Sequence, residues 1–270
     1  MDPSYRAAPD IIVLPTHVPL PGLGMLPAHA FLIEAKEPVL VDTGVIAEEE
    51  PFLEALRAVI DPGALRWIWL THSDPDHIGS LRRLLDEAPQ ARVVTTFLGL
   101  GKASLFGPLP ADRVHLLNPG QSIDVGDRRL TAVKPPVFDA PETTGLYDHR
   151  ADAFFSADCF GAIVTARHRD AAEIPEDELA LWQRLWATVD APWLHLTDPD
   201  LLDRALDSVR RMSPGLILSS HLPPARGLTE VFLRNLAAAR VAAPFVGPDQ
   251  AALQAARAQP TGEQAGPLAP

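Results

Sequence analysis

The sequence predicts an α/β fold in which two sheets are sandwiched between helices. Short apolar runs of strand length alternate with segments of helical spacing in both halves of the chain. A hydrophobic share of 47% over 270 residues supplies the core of one large domain. The apolar run Trp67-Ile68-Trp69-Leu70 then opens into Thr71-His72-Ser73-Asp74-Pro75-Asp76-His77-Ile78-Gly79, which crowds metal-binding side chains at the end of a buried strand.

Taken in order, residues 11–14 and 29–35 read as short strands, and 38–44 as a buried strand ending in a turn. Residues 48–60 carry Phe52, Leu53, Leu56 and Val59 at helical spacing, stopped by Asp61-Pro62-Gly63. Strand 66–70 follows, then a helix over 78–87 with Ile78, Leu81, Leu84 and Leu85 on one side. Residues 93–96 form another strand, with a short helix near 98–105. The second half alternates in the same way, with strands over 128–133, 153–156 and 216–219 and helices over 176–188, 199–211 and 228–240. The domain is expected to occupy 1–245, with 246–270 as a tail. Its last part, rich in Pro, Gly and Ala, is expected to be disordered.

A net charge of −12 argues against nucleic acid or an anionic membrane as the main partner. No apolar run approaches the roughly 18 residues that a membrane span needs. The start, Met1-Asp2-Pro3-Ser4-Tyr5-Arg6, has neither the basic nor the apolar region of a secretory signal. The single cysteine, Cys159, cannot make an intrachain disulfide and excludes cysteine-only metal sites. These features together suit a cytoplasmic protein.

Strand residues alternate faces, so a strand opening into a loop can aim His72, Asp74 and Asp76 the same way, with His77 at the next position. Binding one or two cations is the economical explanation. Four segments in order resemble the metallo-β-lactamase fold: Val39-Leu40-Val41-Asp42-Thr43-Gly44, the His72-to-His77 cluster, Phe155-Ser156-Ala157-Asp158 and Ser219-Ser220-His221. The usual cluster in that fold is His-x-His-x-Asp-His. An acid at the second His position, here Asp74, is similar to the diiron branch of flavodiiron and oxygen-binding diiron proteins. Residues 135–144, 155–161 and 220–224 resemble the same branch.

That resemblance implies a four-layer αββα sandwich holding two metal ions. Carried over position by position, it puts one ion among His72, Asp74, Asp139 and a bridging Asp158. The other would lie among Asp76, His77, Asp158 and His221. The chain departs from the branch at Asp74, where Glu is usual, and at Asp139, where His is usual. So carboxylate-rich a set suits iron, or manganese, better than zinc. Its added negative charge favours the oxidised state. If Asp139 were only a turn residue, His149 is the replacement within reach along the chain.

The function implied is binding or reducing dioxygen or a related small oxidant. No segment reads as the flavodoxin-like domain of flavodiiron proteins, so FMN is not expected on this chain and electrons would come from a separate donor. A homodimer is also consistent with the branch. The alternative is hydrolysis of an ester, thioester or phosphodiester by a metal-bridging hydroxide. Against it stand the weakened Lewis acidity of carboxylate-bound metals and the lack of a basic cluster near the loop, with Lys134 and Arg226 read as surface residues. A decayed, non-enzymatic site ranks last, because Asp remains a competent ligand. His29 and His195 are candidates to donate a hydrogen bond to a metal-bound species. Asp42 reads as structural beneath the metal loop, Cys159 as packing, and His17, His115 and His168 as surface residues.

Overall fold

The computed structural model describes residues 1–252 and 254. The expected disordered end of the tail lies outside these residues. Strands β1 (Tyr5–Ala8) and β2 (Ile11–Leu14) lead into a separate hairpin, β3 (His17–Leu20) and β4 (Gly24–Pro27). The chain then enters β5 (Ala30–Ile33), β6 (Val39–Val41), α1 (Glu49–Arg57), β7 (Trp67–Trp69), α2 (Leu81–Glu87), β8 (Arg92–Thr95), α3 (Phe97–Ala103) and β9 (Val114–Leu116). These strands make a seven-stranded sheet in the order β1-β2-β5-β6-β7-β8-β9. Its β6 to β9 half is parallel, each crossover carrying a helix.

The second sheet comprises β10 (Ser122–Asp124), β11 (Arg129–Val133), β12 (Gly145–Asp148), β13 (Ala153–Phe155) and β14 (Leu216–Leu218), paired in that order. It is antiparallel except for β13 and β14. Helices α4 (Glu176–Asp190) and α5 (Pro199–Met212) bridge that parallel pair, and α6 (Thr229–Ala239) follows.

Strand alternation builds the layers. In β2, Ile11 and Val13 face the second sheet and join Phe155, Leu146 and Leu218, while Ile12 and Leu14 face Phe52 and Leu56 of α1. Phe31 meets Phe155 edge to face across the sheets, with ring centroids 5.4 Å apart. Each such buried side chain contributes about 1.5–3 kcal/mol. On the outer face of the second sheet, Phe154 and Ile217 pack under Leu179, Leu206 and Phe232. The result is an αββα sandwich.

The expected strands and helices are all present, with ends displaced by a few residues. The hairpin β3–β4 and strands β1, β9, β10 and β12 are additions to the sequence reading. Prolines at 19, 21 and 27 hide the hairpin, which is nonetheless tied by an antiparallel bridge from Met25 to Val164.

Candidate metal centre

Every candidate ligand follows the C-terminal end of a strand, in loops cross-linked by backbone hydrogen bonds. Thr144 N donates to Thr71 O at 2.7 Å, and His29 N to Ser220 O at 2.7 Å, so the loops of the two sheets hold each other. Gly79 lets the metal loop lie against the turn after β6. Its N–H donates to Gly44 O at 2.8 Å, and a Cβ there would sit 2.4 Å from Ile46 N.

Three imidazoles converge on one buried carboxylate. His72 Nε2 lies 3.3 Å from Asp158 Oδ2, while His77 Nε2 and His221 Nε2 lie 3.1 and 3.2 Å from Asp158 Oδ1. Each ring is set by its other nitrogen. His77 Nδ1 pairs with Asp42 Oδ2 at 2.8 Å, His221 Nδ1 with the Pro27 carbonyl, and His72 Nδ1 with Thr71 Oγ1 at 3.1 Å. Thr71 donates its hydroxyl proton to Asp42, so its oxygen accepts from His72. Asp42 holds the backbone at φ 60, accepts also from Thr71 N, and has the structural place beneath the loop that its position in the chain implied. This arrangement leaves each Nε2 facing the cluster.

The remaining candidates close around this core. Ligand atoms of His72, Asp74 and Asp139 lie within 4.8 Å of one another, as do those of Asp76, His77 and His221. Asp76 Oδ2 is 3.6 Å from His77 Nε2 and 3.7 Å from His221 Nε2. All seven sequence-derived candidates therefore lie in one cluster, in which His72 groups with His77 and Asp158 as well as with Asp74 and Asp139. His72 Nε2, His77 Nε2 and Asp158 Oδ1 are buried without a hydrogen-bond partner among the described residues. Orphaned nitrogen and oxygen donors of this kind fit a pair of cations.

Charge follows the geometry. Burial opposes ionising the imidazoles, but Asp158 overrides it: His221 is lifted to about 9, His72 upward, and His77 well above its ordinary value. The same imidazoles outweigh burial at Asp158 and hold its carboxyl well below the carboxylate range.

Several placements depart from the sequence reading. His195 is exposed in the turn Leu194–Leu196, its Nδ1 against Pro192 O at 2.7 Å, and is not part of the cluster. His149 pairs with Thr131 Oγ1 at 2.8 Å, away from it. His17 is not a surface residue: its side chain is 4% exposed and meets His29 edge to face at 5.3 Å. It opens strand β3 of the hairpin that the sequence pattern hides, and its Nδ1 lies 3.0 Å from Asp2 Oδ2. His29 is buried with neither ring nitrogen partnered among the described residues, behind His221. The aromatic residue on the centre is Trp186, whose ring lies 4.7 Å from that of His221, while Trp193 packs on Phe138. Gly161 makes room for it, since a Cβ there would come within 2.7 Å of His221 Cβ and Trp186 Nε1.

Two charged groups, Asp190 and Lys102, went unforeseen, and a third, Lys134, was misplaced. Asp190, at the end of α4, brings an oxygen within 4.8 Å of Asp139 and Asp158, and burial plus those two neighbours raise it to about 8. Lys102 contacts Asp74 and Glu142, which places a cation beside the loop. Lys134 is half-buried rather than on the surface. It donates to the Pro141 and Thr143 carbonyls at 3.0 and 2.9 Å and lies 3.6 Å over Phe138, stapling the loop that bears Asp139. Only tertiary contacts identify these groups, since each is remote from Asp74 along the chain.

Fold and cluster together define a metallo-β-lactamase-fold protein with its candidate metal ligands gathered in the loops beyond the strand ends. The chain belongs to the ODP family of β-lactamases, whose model matches residues 26–221. It is 26% identical over 177 residues to the anaerobic nitric oxide reductase flavorubredoxin of Klebsiella pneumoniae subsp. pneumoniae, covering 65% of this chain and 37% of that protein. It is 29% identical over 134 residues to the putative diflavin flavoprotein A 2 of a Nostoc species, covering 49% of this chain and 23% of that one. The chain thus spans well under half the length of these relatives. Among solved structures, rubredoxin oxygen:oxidoreductase from Desulfovibrio gigas superposes with a TM-score of 0.75 at 18% identity, over 87% of this chain and 61% of that one. The flavodiiron protein from Giardia intestinalis gives 0.78 at 16%, over 89% and 60%. No helix among the described residues is long and apolar enough to cross a membrane.

Proposed function

We propose that the protein holds a dinuclear non-haem iron centre that binds or reduces a small oxidant, dioxygen or nitric oxide, with electrons from a separate donor. The observation that carries this reading is the convergence of three oriented imidazoles on Asp158, flanked by Asp74 and Asp139 on one side and Asp76 on the other. In the proposed assignment His72, Asp74, Asp139 and Asp158 hold one ion, and Asp76, His77, Asp158 and His221 the other. The oxygen-rich donor set, without a thiolate, favours iron or manganese over zinc. Two such ions, when bound, supply electrons and open coordination positions to the oxidant.

The chain's own residues do the rest. Asp42, Thr71 and the Pro27 carbonyl fix the imidazole tautomers, so no ring has to turn when an ion arrives. His72, His77 and His221 are each 1% exposed, which limits water at the centre. In the metal-free protein, burial and the charges of Asp158 and Asp139 keep the Asp190 carboxyl protonated near neutral pH beside those two groups. Relatives named as nitric oxide reductase and as oxygen:oxidoreductase support the choice of oxidant, and flavin chemistry belongs in this reading to the donor.

The test is elemental analysis and an anaerobic-to-aerobic optical spectrum of protein from iron-supplemented cells. Two irons per chain with new near-ultraviolet to visible absorption on exposure to oxygen are expected. Stoichiometric zinc and a silent spectrum would replace this reading with the hydrolytic one.

A further inference from the structure

We infer that Lys102 is a positioning residue of the metal centre: anchored on buried Glu142, its ammonium fixes the carboxylate of Asp74 and sets a positive charge against the excess of carboxylates. This rests on the dinuclear reading above. Lys102 Nζ lies 2.8 Å from Asp74 Oδ1 and 2.7 Å from Glu142 Oε1, the second contact an ion pair out of line for a hydrogen bond.

Asp74 needs such a tether. Its side chain is 39% exposed on a loop, so turning outward to water would cost it little. Glu142 supplies the anchor. Its side chain is 3% exposed, and a carboxylate so enclosed requires a cation. Glu142 also sits three residues beyond Asp139, on the segment that Lys134 staples and where Thr143 Oγ1 donates to Asp139 Oδ1 at 3.0 Å. Lys102 therefore ties the loop of Asp74 to the loop of Asp139. With Oδ1 engaged by the ammonium, Asp74 would keep its other oxygen free to hold an ion.

The charge has its own consequence. Three carboxylates and one imidazole around the first ion favour the oxidised state, and an ammonium sharing one of them draws charge back. Lys102 thus moderates the low potential that the ligand set alone would impose.

The test uses the full chain carrying Lys102→Met with Glu142→Gln. The single Lys102→Met would strand a buried carboxylate and put folding at risk, whereas the double variant removes both charges together. Lys102→Arg is the conservative counterpart. Two quantities are read: the rate at which a chelator strips each ion, and the midpoint potential followed by the optical signal. The double variant should keep the wild-type Tm, lose one of its two ions about ten-fold faster, equivalent to roughly 1.4 kcal/mol, and show a more negative potential. Lys102→Arg should restore both towards wild type. Unchanged stripping and potential in the double variant would reduce Lys102 to a partner of Glu142 and overturn the inference. Wild-type protein loaded with zinc would end the iron reading alone, since the stripping comparison still decides the role of Lys102. Wild-type protein that holds no ion would end both.

Discussion

Metal uptake by the metal-free protein should release protons, and the affinity should climb steeply with pH. Without an ion, Asp158 draws protons onto the three imidazoles, taking His221 to about 9 and raising His72 and His77 as well. At pH 7.5 a group with a pKa of about 9 is about 97% protonated. An ion needs the Nε2 lone pair, so at least about one proton must leave, and up to about three if the other rings follow. Each released proton changes affinity about ten-fold per pH unit, or about 1.4 kcal/mol. Between pH 6.5 and 7.5, affinity for manganese(II) should therefore rise at least about ten-fold. Calorimetric titration in buffers of different ionisation enthalpy counts the protons directly. The same shift sets a stability trend of defined sign. Because the folded value of His221 is raised, its contribution to metal-free stability is complete below about pH 6.5 and is lost as pH climbs through about 9. Fewer than about half a proton per ion, with affinity flat across this range, would refute the picture of a charged His221 held by Asp158.

Three substitutions probe the centre further. Asp139→Ala should lower bound metal from two ions towards one per chain by elemental analysis, and unchanged content would retire Asp139 as a ligand. Asp158→Ala should cost both ions, since its oxygens face all three imidazoles. Full occupancy there would overturn the dinuclear model. Asp42→Ala removes the acceptor of Thr71 N, Thr71 Oγ1 and His77 Nδ1 and leaves alanine at φ 60. It should destabilise the fold by about 3 kcal/mol or more, read as a lower Tm. A wild-type Tm would show that the loop is held by other contacts.

The layers were legible because strands such as Ile11–Leu14 and Val39–Val41 are buried on both faces and read as unbroken apolar runs. The hairpin His17–Leu20 with Gly24–Pro27 was not, since it is only half-buried and its prolines mimic a loop. Gly145–Asp148 offers two apolar residues, too few for a period, and becomes a strand through its neighbours. At the centre, motif order located all seven clustered candidates, because their chemistry is written in residue type. Lys102, Glu142 and Asp190 have no local signature and acquire meaning only when α3, the 138–144 loop and α4 meet. His195 shows the converse error: a position judged by an aromatic neighbour, when Trp186 one turn of α4 earlier than Asp190 faces His221.

None of the candidate ligands lies within a strand; each stands just beyond one, where it takes no part in the ladders that hold the sheets. Exchanging an imidazole for a carboxylate there alters what the pocket prefers to bind and leaves strand register untouched. The scaffold and its chemistry can therefore drift at different speeds in descent. For an engineer the implication is practical: one loop can be rewritten at a time, beginning with a histidine at position 139, to soften the donor set on an otherwise fixed frame.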